Sequence, residues 1–175
     1  WTKVSPLKAG PHTVTFRNEV AKTTLFTLRA FPEARLPDAP PQFLDAAAKT
    51  WTGEFWKLGG GGTVWDSITY DPVTGLIYFG TANAEPWNPA HRNTKGAGDS
   101  LYTASIVAID PETGEYAWHF QETPEDRWDF DSNQQITVAD IEIGGTKRHV
   151  VLHAPKNGFF YVLDAKTGEF ISGKP

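Results

Sequence analysis

The chain has 175 residues, with 16 basic and 21 acidic side chains and no cysteine. This length is enough for one domain with a substantial core. The mild negative charge argues against nucleic acid or an anionic membrane as a partner. The lack of cysteine excludes disulfides and thiolate metal sites. No stretch of the sequence approaches the roughly 18 apolar residues of a membrane-spanning helix. Because neither an initiator Met nor a signal-peptide pattern is visible, we expect a mature product or a piece of something longer.

The first 50 residues differ in pattern from the rest of the chain. Residues 13–16 and 24–28 are short β-prone stretches, and the proline-rich PEARLPDAPPQ after them predicts a loop or linker. The next stretch, FLDAAAKTW, predicts one short helix. This region carries no chemical motif, so we divide the chain into a divergent N-terminal segment, residues 1–50, and a second part, residues 51–175.

From Trp51 onward the pattern is that of strands and tight turns. SITYDPVTGLIYFGTAN predicts a hairpin, because alternating residues flank a D-P-x-T-G turn. The turn recurs as DPETG (110–114) and DAKTG (164–168), each time after an apolar run. The aspartate can accept hydrogen bonds from the amides of the turn, and the glycine supplies a positive φ. One such turn is common in any antiparallel sheet, but three copies with matching flanks predict an all-β array of blades.

The second copy extends to AIDPETGEYAW, residues 108–118, which matches A-x-D-x-x-T-G-x-x-x-W, the tryptophan-docking motif of the eight-bladed quinoprotein propellers. The third copy, VLDAKTGEFIS, keeps the Asp, Thr and Gly but ends in Ser172. Four further segments follow the order of that family: GGGGTVWDSITYDP, GTANAEPWNP, TPEDRWDFDSNQ and HAPKNGFFYVLD. From about residue 50 onward the chain therefore resembles the pyrroloquinoline quinone (PQQ)-dependent alcohol dehydrogenases, on the ethanol-dehydrogenase side. The resemblance implies a partial β-propeller, about three blades of eight, in a fragment of a longer protein.

The resemblance also implies contacts to the quinone. Trp65, in GGGGTVW, corresponds to the tryptophan that lies flat under the quinone, and Thr63 to the threonine that contacts a cofactor carboxylate. Lys156 corresponds to the basic residue near the quinone oxygens, where an ammonium stabilises the negative charge that develops as the quinone is reduced. Each motif has a structural alternative: Trp65 as a core residue after a flexible glycine loop, and Lys156 as a turn residue before Asn157-Gly158.

For the metal site, the resemblance points to an amide and two carboxylates. Asn83 corresponds to the family's amide ligand, Asp129 to the catalytic base beside the metal, and Asp131 to an extra acid found in lanthanide-dependent members. Residues i and i+2 of an extended segment point to the same side, so we expect Asp129 and Asp131 to converge while Phe130 faces away. Because a trivalent ion needs one more negative ligand than Ca²⁺ in a dry site, Asp131 favours a lanthanide over Ca²⁺.

Explanations that need no metal ion remain open for these polar residues. Asn83 can cap a turn, and the two aspartates can belong to a solvated acidic loop. An EF-hand loop does not fit, because Gln134 stands where glycine is required.

The resemblance implies oxidation of a primary alcohol to an aldehyde, with Asp129 as general base, a metal ion as Lewis acid, PQQ as redox cofactor and a cytochrome c as electron acceptor. Family members work in the periplasm. Their glutamate metal ligand has no counterpart in the matching part of this chain, so we expect the isolated chain to be incomplete and inactive. The alternative is a non-catalytic β-propeller module that serves as a binding or assembly scaffold, which would have no reason to hold all of these site residues.

Overall fold

The computed structural model describes residues 12–18, 23–30, 46–54, 57, 61–66 and 68–175. The chain divides into two compact units, Trp1–Asp38 and Ala39–Pro175, while the sequence-based division between residues 50 and 51 stays a prediction. No helix in these described ranges is long and apolar enough to cross a membrane.

The first unit contains an antiparallel hairpin. Its strands are β1 (His12–Asn18) and β2 (Thr23–Ala30), which pair from His12 opposite Ala30 to Asn18 opposite Thr23. Both predicted β-prone stretches lie inside these strands, in keeping with the preference of Thr, Val, Phe and Leu for a pleated surface. The proline-rich stretch predicted as a linker lies outside the described residues.

The second unit begins its described part with a short helical turn at residues 46–48, inside the stretch predicted as a helix, and continues with two antiparallel sheets of four strands. The first sheet contains β3 (Ile68–Asp71), β4 (Leu76–Gly80), β5 (Ser105–Ile109) and β6 (Tyr116–Gln121), and the second contains β7 (Thr137–Ile143), β8 (Thr146–His153), β9 (Phe160–Asp164) and β10 (Phe170–Lys174). In both sheets, strands that are consecutive in sequence are neighbours. A single helical turn, α1 (Pro89–Arg92), lies in the β4–β5 connection and is capped by the Asn88 side chain, which accepts from the Ala90 amide. The predicted all-β partial propeller is confirmed.

The three D-x-x-T-G turns share one conformation. In each, the aspartate carboxylate accepts from the main-chain amides two and three residues further on. The glycine amide donates to the aspartate carbonyl at 2.8–2.9 Å, and the glycine φ is 73° or 75°. The roles predicted for both residues are confirmed, and the shared conformation explains why the motif recurs at the same place in successive hairpins.

The core lies between the two four-stranded sheets, where the tryptophan of one repeat docks on the turn of the next. The indole of Trp118 donates to the carbonyl oxygen of Ala165 at 3.1 Å, and the Tyr78 hydroxyl donates to the same oxygen at 2.9 Å. A Cβ on Gly168 would lie 2.6 Å from the Trp118 ring, so the indole packs directly on the glycine. The buried cluster around this contact is Tyr78, Ile106, Ala108, Trp118, Ile136, Val151, Leu163 and Ala165.

The topology sends the long loops and the tight turns to opposite edges of the sheets. Alternate strands of an antiparallel sheet run in the same direction, so the connections that follow β4, β6 and β8 leave from the same side. These three connections contain, respectively, Asn83, the WDFD stretch (residues 128–131) and Lys156. The D-x-x-T-G turns lie at the other edge, far along the strands from all three.

Candidate functional site

The site loops meet because β4 ends in a glycine. A Cβ on Gly80 would lie 1.5 Å from the carbonyl oxygen of Ser132, so a larger residue would push the β6–β7 loop away. The Ser132 amide donates to the carbonyl of Thr81 at 2.9 Å. With its amide group oriented so that both ends find partners, Asn133 donates to the Gly80 carbonyl at 2.5 Å and accepts from the Trp65 indole N–H at 2.7 Å. Three loops are thereby joined at one edge.

The structure brings Asn83, Asp131 and Lys156 into direct contact. The Asn83 main-chain amide donates to Asp131 Oδ1 at 2.8 Å, and Lys156 Nζ lies 2.5 Å from Asp131 Oδ2 and 3.9 Å from Asp129 Oδ1. Asp131 is 5% exposed and Asn83 is 8% exposed. The hydrogen bond to Asp131, opposed by partial burial, raises the pKa of Lys156, which keeps this side chain an ammonium at neutral pH.

The WDFD stretch is not the extended segment that the sequence analysis assumed. Asp129 and Asp131 have φ values of 58° and 56°, so both lie in the left-handed region that non-glycine residues rarely adopt. The side chain of Asp129 is 65% exposed, whereas that of Asp131 is 6% exposed. The expectation of an extended segment is therefore wrong, although both carboxylates do approach a common group, the Lys156 ammonium. They do so from a curved loop instead.

Two buried residues that the sequence analysis did not single out shape this loop. The carboxylate of Asp126, 1% exposed, accepts from the amides of Trp128 and Phe130, both at 2.8 Å. The guanidinium of Arg92, 0% exposed, donates to the Asp126 carbonyl at 2.7 Å. Burial lowers the pKa of Arg92, and the nearby charges of Glu125 and Asp126 act in the opposite direction. The sequence contains only a weak signal for Asp126, because the D-x-x-D spacing of Asp126 and Asp129 occurs in many polar loops.

The loop that carries Lys156 is anchored from the residue that follows it. Asn157 Nδ2 donates to the Tyr161 hydroxyl at 2.9 Å and to the carbonyl of Glu122 at 3.2 Å. Below the loop, His153 Nδ1 is 2.7 Å from Glu122 Oε1, and both of these side chains are fully buried. Lys156 therefore extends from a base that is fixed on two sheets.

Thr63 and Trp65 lie on the same edge. The carbonyl of Thr63 accepts from the Ala82 amide at 2.8 Å, one residue before Asn83, and the Trp65 indole bonds to Asn133. Both side chains are exposed, Trp65 to 59%. The core alternative for Trp65 does not fit this exposure, and a planar indole on an open surface is suited to stacking against a planar ligand.

A cavity of about 710 Å³ opens beside the segment that precedes Asp129. The indoles of Trp87 and Trp128 form part of its wall, and they are 55% and 74% exposed. The ion pair between Arg127 and Glu125, 2.7 Å, also borders it. Such a mixture of aromatic walls and a few polar groups suits a small organic ligand.

The donor atoms fit part of a site for a hard cation. Carboxylate and amide oxygens are the ligands that Ca²⁺ and related ions take. Asn83 Nδ2 donates to the Ala84 carbonyl at 3.5 Å and to Glu85 Oε1 at 3.3 Å, which leaves Asn83 Oδ1 for a cation. Within the described ranges, no three His, Asp or Glu side chains are grouped as metal ligands. Asn83, Asp129 and Asp131 are therefore candidate ligands whose oxygen donors suit such an ion.

Comparison with known proteins gives one consistent family. The family described as glucose/ethanol/alcohol dehydrogenase, β-propeller domain, matches residues 40–173. Over 133 residues the chain is 62% identical to the dehydrogenase subunit of an alcohol dehydrogenase (quinone) from Komagataeibacter europaeus, an alignment that covers 75% of this chain and 18% of that protein. Over 130 residues it is 57% identical to the quinohemoprotein alcohol dehydrogenase of Comamonas testosteroni, covering 73% and 18%.

Solved structures give the same result. The quinohemoprotein alcohol dehydrogenase of Comamonas testosteroni superposes with a TM-score of 0.72 at 44% identity, over 93% of this chain and 24% of that one. A europium-containing methanol dehydrogenase superposes with a TM-score of 0.68 at 32% identity, over 95% and 30%. The chain spans less than a fifth of the length of the two curated relatives above.

Proposed function

Because the chain belongs to the family of PQQ-dependent alcohol dehydrogenases, we propose that it is a segment of an enzyme that oxidises primary alcohols to aldehydes. The segment spans only a small part of its relatives, so its residues act within a complete propeller. The observation that carries the proposal is the contact series from the Asn83 amide through Asp131 to Lys156, at 2.8 and 2.5 Å. A scaffold module would have no reason to hold Trp65, Asn83, Asp129 and Lys156 together.

When bound, the quinone and its metal ion supply a two-electron acceptor and a Lewis acid. Asp129, whose carboxylate is the exposed one of the pair, accepts the hydroxyl proton of the alcohol. Lys156, whose Nζ lies 3.9 Å from Asp129 Oδ1, supplies a positive charge that would stabilise the negative charge developing on the quinone oxygens as the quinone is reduced. Trp65 provides a flat apolar face and Thr63 a hydroxyl for the quinone, and the cavity beside Trp128 receives the carbon chain of the alcohol.

Asn83, Asp129 and Asp131 would hold the metal ion. Asp131 adds a negative charge in a buried position, which favours a trivalent lanthanide over Ca²⁺ because a dry site must neutralise its ion. The europium-containing methanol dehydrogenase among the structural neighbours supports a lanthanide as the ion.

A cytochrome c is the proposed electron acceptor, and the periplasm is the proposed location. One relative that is 48% identical over 130 residues is named lupanine 17-hydroxylase [cytochrome c], and others are named quinohemoproteins, which supports transfer of electrons to a haem.

We expect Asp129→Asn to lower kcat by at least about 100-fold, the size of a general-base contribution, while quinone binding persists. The change is made in a chimera in which residues 51–175 replace the matching segment of the Comamonas testosteroni enzyme. Dye-linked alcohol oxidation measures turnover, and bound quinone is quantified by its absorbance.

Asp140→Asn on β7 is the matched control. It makes the same carboxylate-to-amide change in a residue whose charged partners, Lys147 and His149, lie outside the site, and turnover per bound quinone should be unchanged. Full turnover in the Asp129→Asn chimera would refute Asp129 as the general base, and an unaltered chimera that binds quinone but oxidises no alcohol would return the scaffold alternative.

A further inference from the structure

Arg92 is a fully buried cation, and among the described residues its hydrogen-bond partners include no carboxylate. Its Nη1 donates to the carbonyls of Pro86, at 3.1 Å, and Trp87; its Nη2 donates to the carbonyl of Asp126 at 2.7 Å; and its Nε is 3.3 Å from Ser100 Oγ. Its side chain is 0% exposed. Burying a charge is costly unless its donors are satisfied. The large number of main-chain partners on this one guanidinium therefore indicates that its charge has a role at this position.

The carbonyls that Arg92 binds belong to the two loops of the candidate site. Pro86 and Trp87 follow Asn83 in the β4–β5 connection, and Asp126 begins the curved loop that leads to Asp129. One rigid, planar group therefore sets the distance between the loop of the amide ligand and the loop of the carboxylates. A lysine has a single point charge on a flexible stem and cannot bind the same set of carbonyls at once.

Asp126 fixes the conformation of the second loop. Its two carboxylate oxygens accept from the amides on either side of Asp129, those of Trp128 and Phe130, at 2.8 Å each. Asp129 and Asp131 both have positive φ, a conformation that costs a non-glycine residue on the order of 1 kcal/mol. The two charge-assisted bonds offset that cost and hold the backbone of Asp129 in place.

We propose that Arg92 and Asp126 are positioning residues that together hold the Asp129 carboxylate at a fixed place relative to Asn83. The inference rests on the proposed function, because it assigns to these two residues the alignment of the base with the metal ligand. It follows from the hydrogen bonds of two buried residues, neither of which faces the ligand. A shift of about 1 Å in a reacting group is enough to lower the rate about 100-fold, so loss of either residue should act on turnover.

The first test measures the loop itself in the 175-residue chain, without cofactor. Asp126→Asn replaces one acceptor oxygen by an NH₂ group, which cannot accept, so at least one of the Trp128 and Phe130 amides loses its partner. Amide hydrogen exchange at these two residues should become at least about tenfold faster. Arg127→Lys is the control, since Arg127 is an exposed neighbour paired with Glu125. In this variant the exchange rates of the Trp128 and Phe130 amides should be unchanged. Unchanged exchange in Asp126→Asn would overturn the inference.

The second test separates positioning from general stability. In the chimera described above, Arg92→Lys and Asp126→Asn should each lower kcat per bound quinone by at least tenfold and change KM for the alcohol less than threefold. A residue with a merely structural role would reduce the yield or Tm and leave kcat per bound quinone unchanged, and that result would overturn the inference. If Arg92→Lys does not fold, Ser100→Ala removes only one partner of Arg92 and should lower kcat less than Asp126→Asn.

Failure of this inference differs from failure of the proposed function. If Asp129→Asn is inactive while the Arg92 and Asp126 variants are fully active, the positioning role is refuted and the enzyme assignment stands. If Asp129→Asn is fully active, the base role of Asp129 fails, and the hydrogen-exchange result still reports on the loop. If the unaltered chimera binds quinone and oxidises no alcohol, the enzyme assignment fails.

Discussion

Asp129 and Asp131 differ in environment although they are two residues apart. Asp131 is buried and both of its oxygens have partners, the Asn83 amide and Lys156, whereas Asp129 is mostly exposed. The backbone explains the difference, because positive φ at both residues curves the loop so that one side chain enters the protein and the other leaves it. Their proposed roles follow the same division: a buried charge for the metal ion and an accessible carboxylate for the substrate proton.

We expect Asp131→Ala to shift the metal preference from La³⁺ towards Ca²⁺ by about tenfold, which corresponds to about 1.4 kcal/mol, because the site loses one negative charge. Activity of the chimera reconstituted with each ion gives the ratio. Asp131→Asn is the matched variant, since its remaining oxygen can still accept from the Asn83 amide while the carboxylate charge and its pairing with Lys156 are removed. Equal activity with both ions before and after either change would remove the lanthanide assignment.

His149 joins the two four-stranded sheets through its charge. Its Nε2 lies 2.9 Å from Asp71 Oδ2 and its Nδ1 lies 2.7 Å from Asp140 Oδ1, so both ring nitrogens face carboxylates and the imidazolium form satisfies both. The hydrogen bond to Asp71 raises the pKa of His149 above its ordinary value of 6.5. Burial works against ionisation of Asp71, yet hydrogen bonds from Thr74, Val73 and His149 lower the pKa of Asp71 to about 2.

These directions predict how stability depends on pH. The contribution of His149, with a raised pKa in the folded state, is complete below about pH 6.5 and is lost as pH rises through the folded value. The free energy of unfolding should therefore fall as pH rises above about 6.5, and His149→Asn should flatten that part of the profile. Urea unfolding at a series of pH values measures this. His91→Asn, on the exposed surface of α1, is the control, and a profile unaltered in His149→Asn would contradict the role of the pair.

At the residue scale, short motifs in the sequence singled out the residues of the proposed site and did not single out the residues that support them. Asn83, Asp129, Asp131 and Lys156 were found because each belongs to a short motif, and the structure places them on adjoining loops. Arg92 and Asp126 belong to no motif. The hydrogen bond that joins them spans 34 residues of sequence, and local patterns carry no information about such a contact.

At the scale of elements, the tryptophan-docking repeat depends on one glycine. Gly168 has φ 73° and lies against the Trp118 ring. Gly75 has φ 75° in an equivalent turn, but nothing lies within 4 Å of where its Cβ would be. The two glycines therefore share a backbone requirement and differ in packing.

Gly168→Ala should destabilise the protein more than Gly75→Ala does. Both changes incur the backbone cost of about 1–2 kcal/mol, and only Gly168→Ala adds overpacking of about 1–3 kcal/mol. Urea unfolding followed by tryptophan fluorescence measures the two values. Equal destabilisation would show that the indole does not depend on close contact with the turn.

The turns could be predicted from the sequence and the loop conformations could not. A D-x-x-T-G turn closes through hydrogen bonds within five residues, so its sequence alone specifies it. The loop at residues 126–131 takes its shape from Arg92 and from Lys156 on other loops, and the assumption of an extended segment failed there because tertiary contacts overrode local preference.

At the scale of the whole molecule, the 175-residue chain should not bind quinone on its own. The described loops give one face of a site, and the outer strands of each sheet present unpaired backbone groups. Titration with PQQ in the presence of Ca²⁺ or La³⁺ should quench tryptophan fluorescence of the full-length Comamonas testosteroni enzyme and leave that of this chain unchanged. Saturable quenching in this chain would show that the described residues suffice for binding.

The separation of long loops and tight turns onto opposite edges has a practical consequence. The β7–β8 turn consists of Gly144 and Gly145, with φ of 57° and 79° and nothing within 4 Å of either Cβ position. A peptide tag or an electrode linker inserted between these glycines would leave from the edge away from Lys156. An engineered dehydrogenase that carries this segment could therefore be immobilised with its alcohol-facing loops directed into solution.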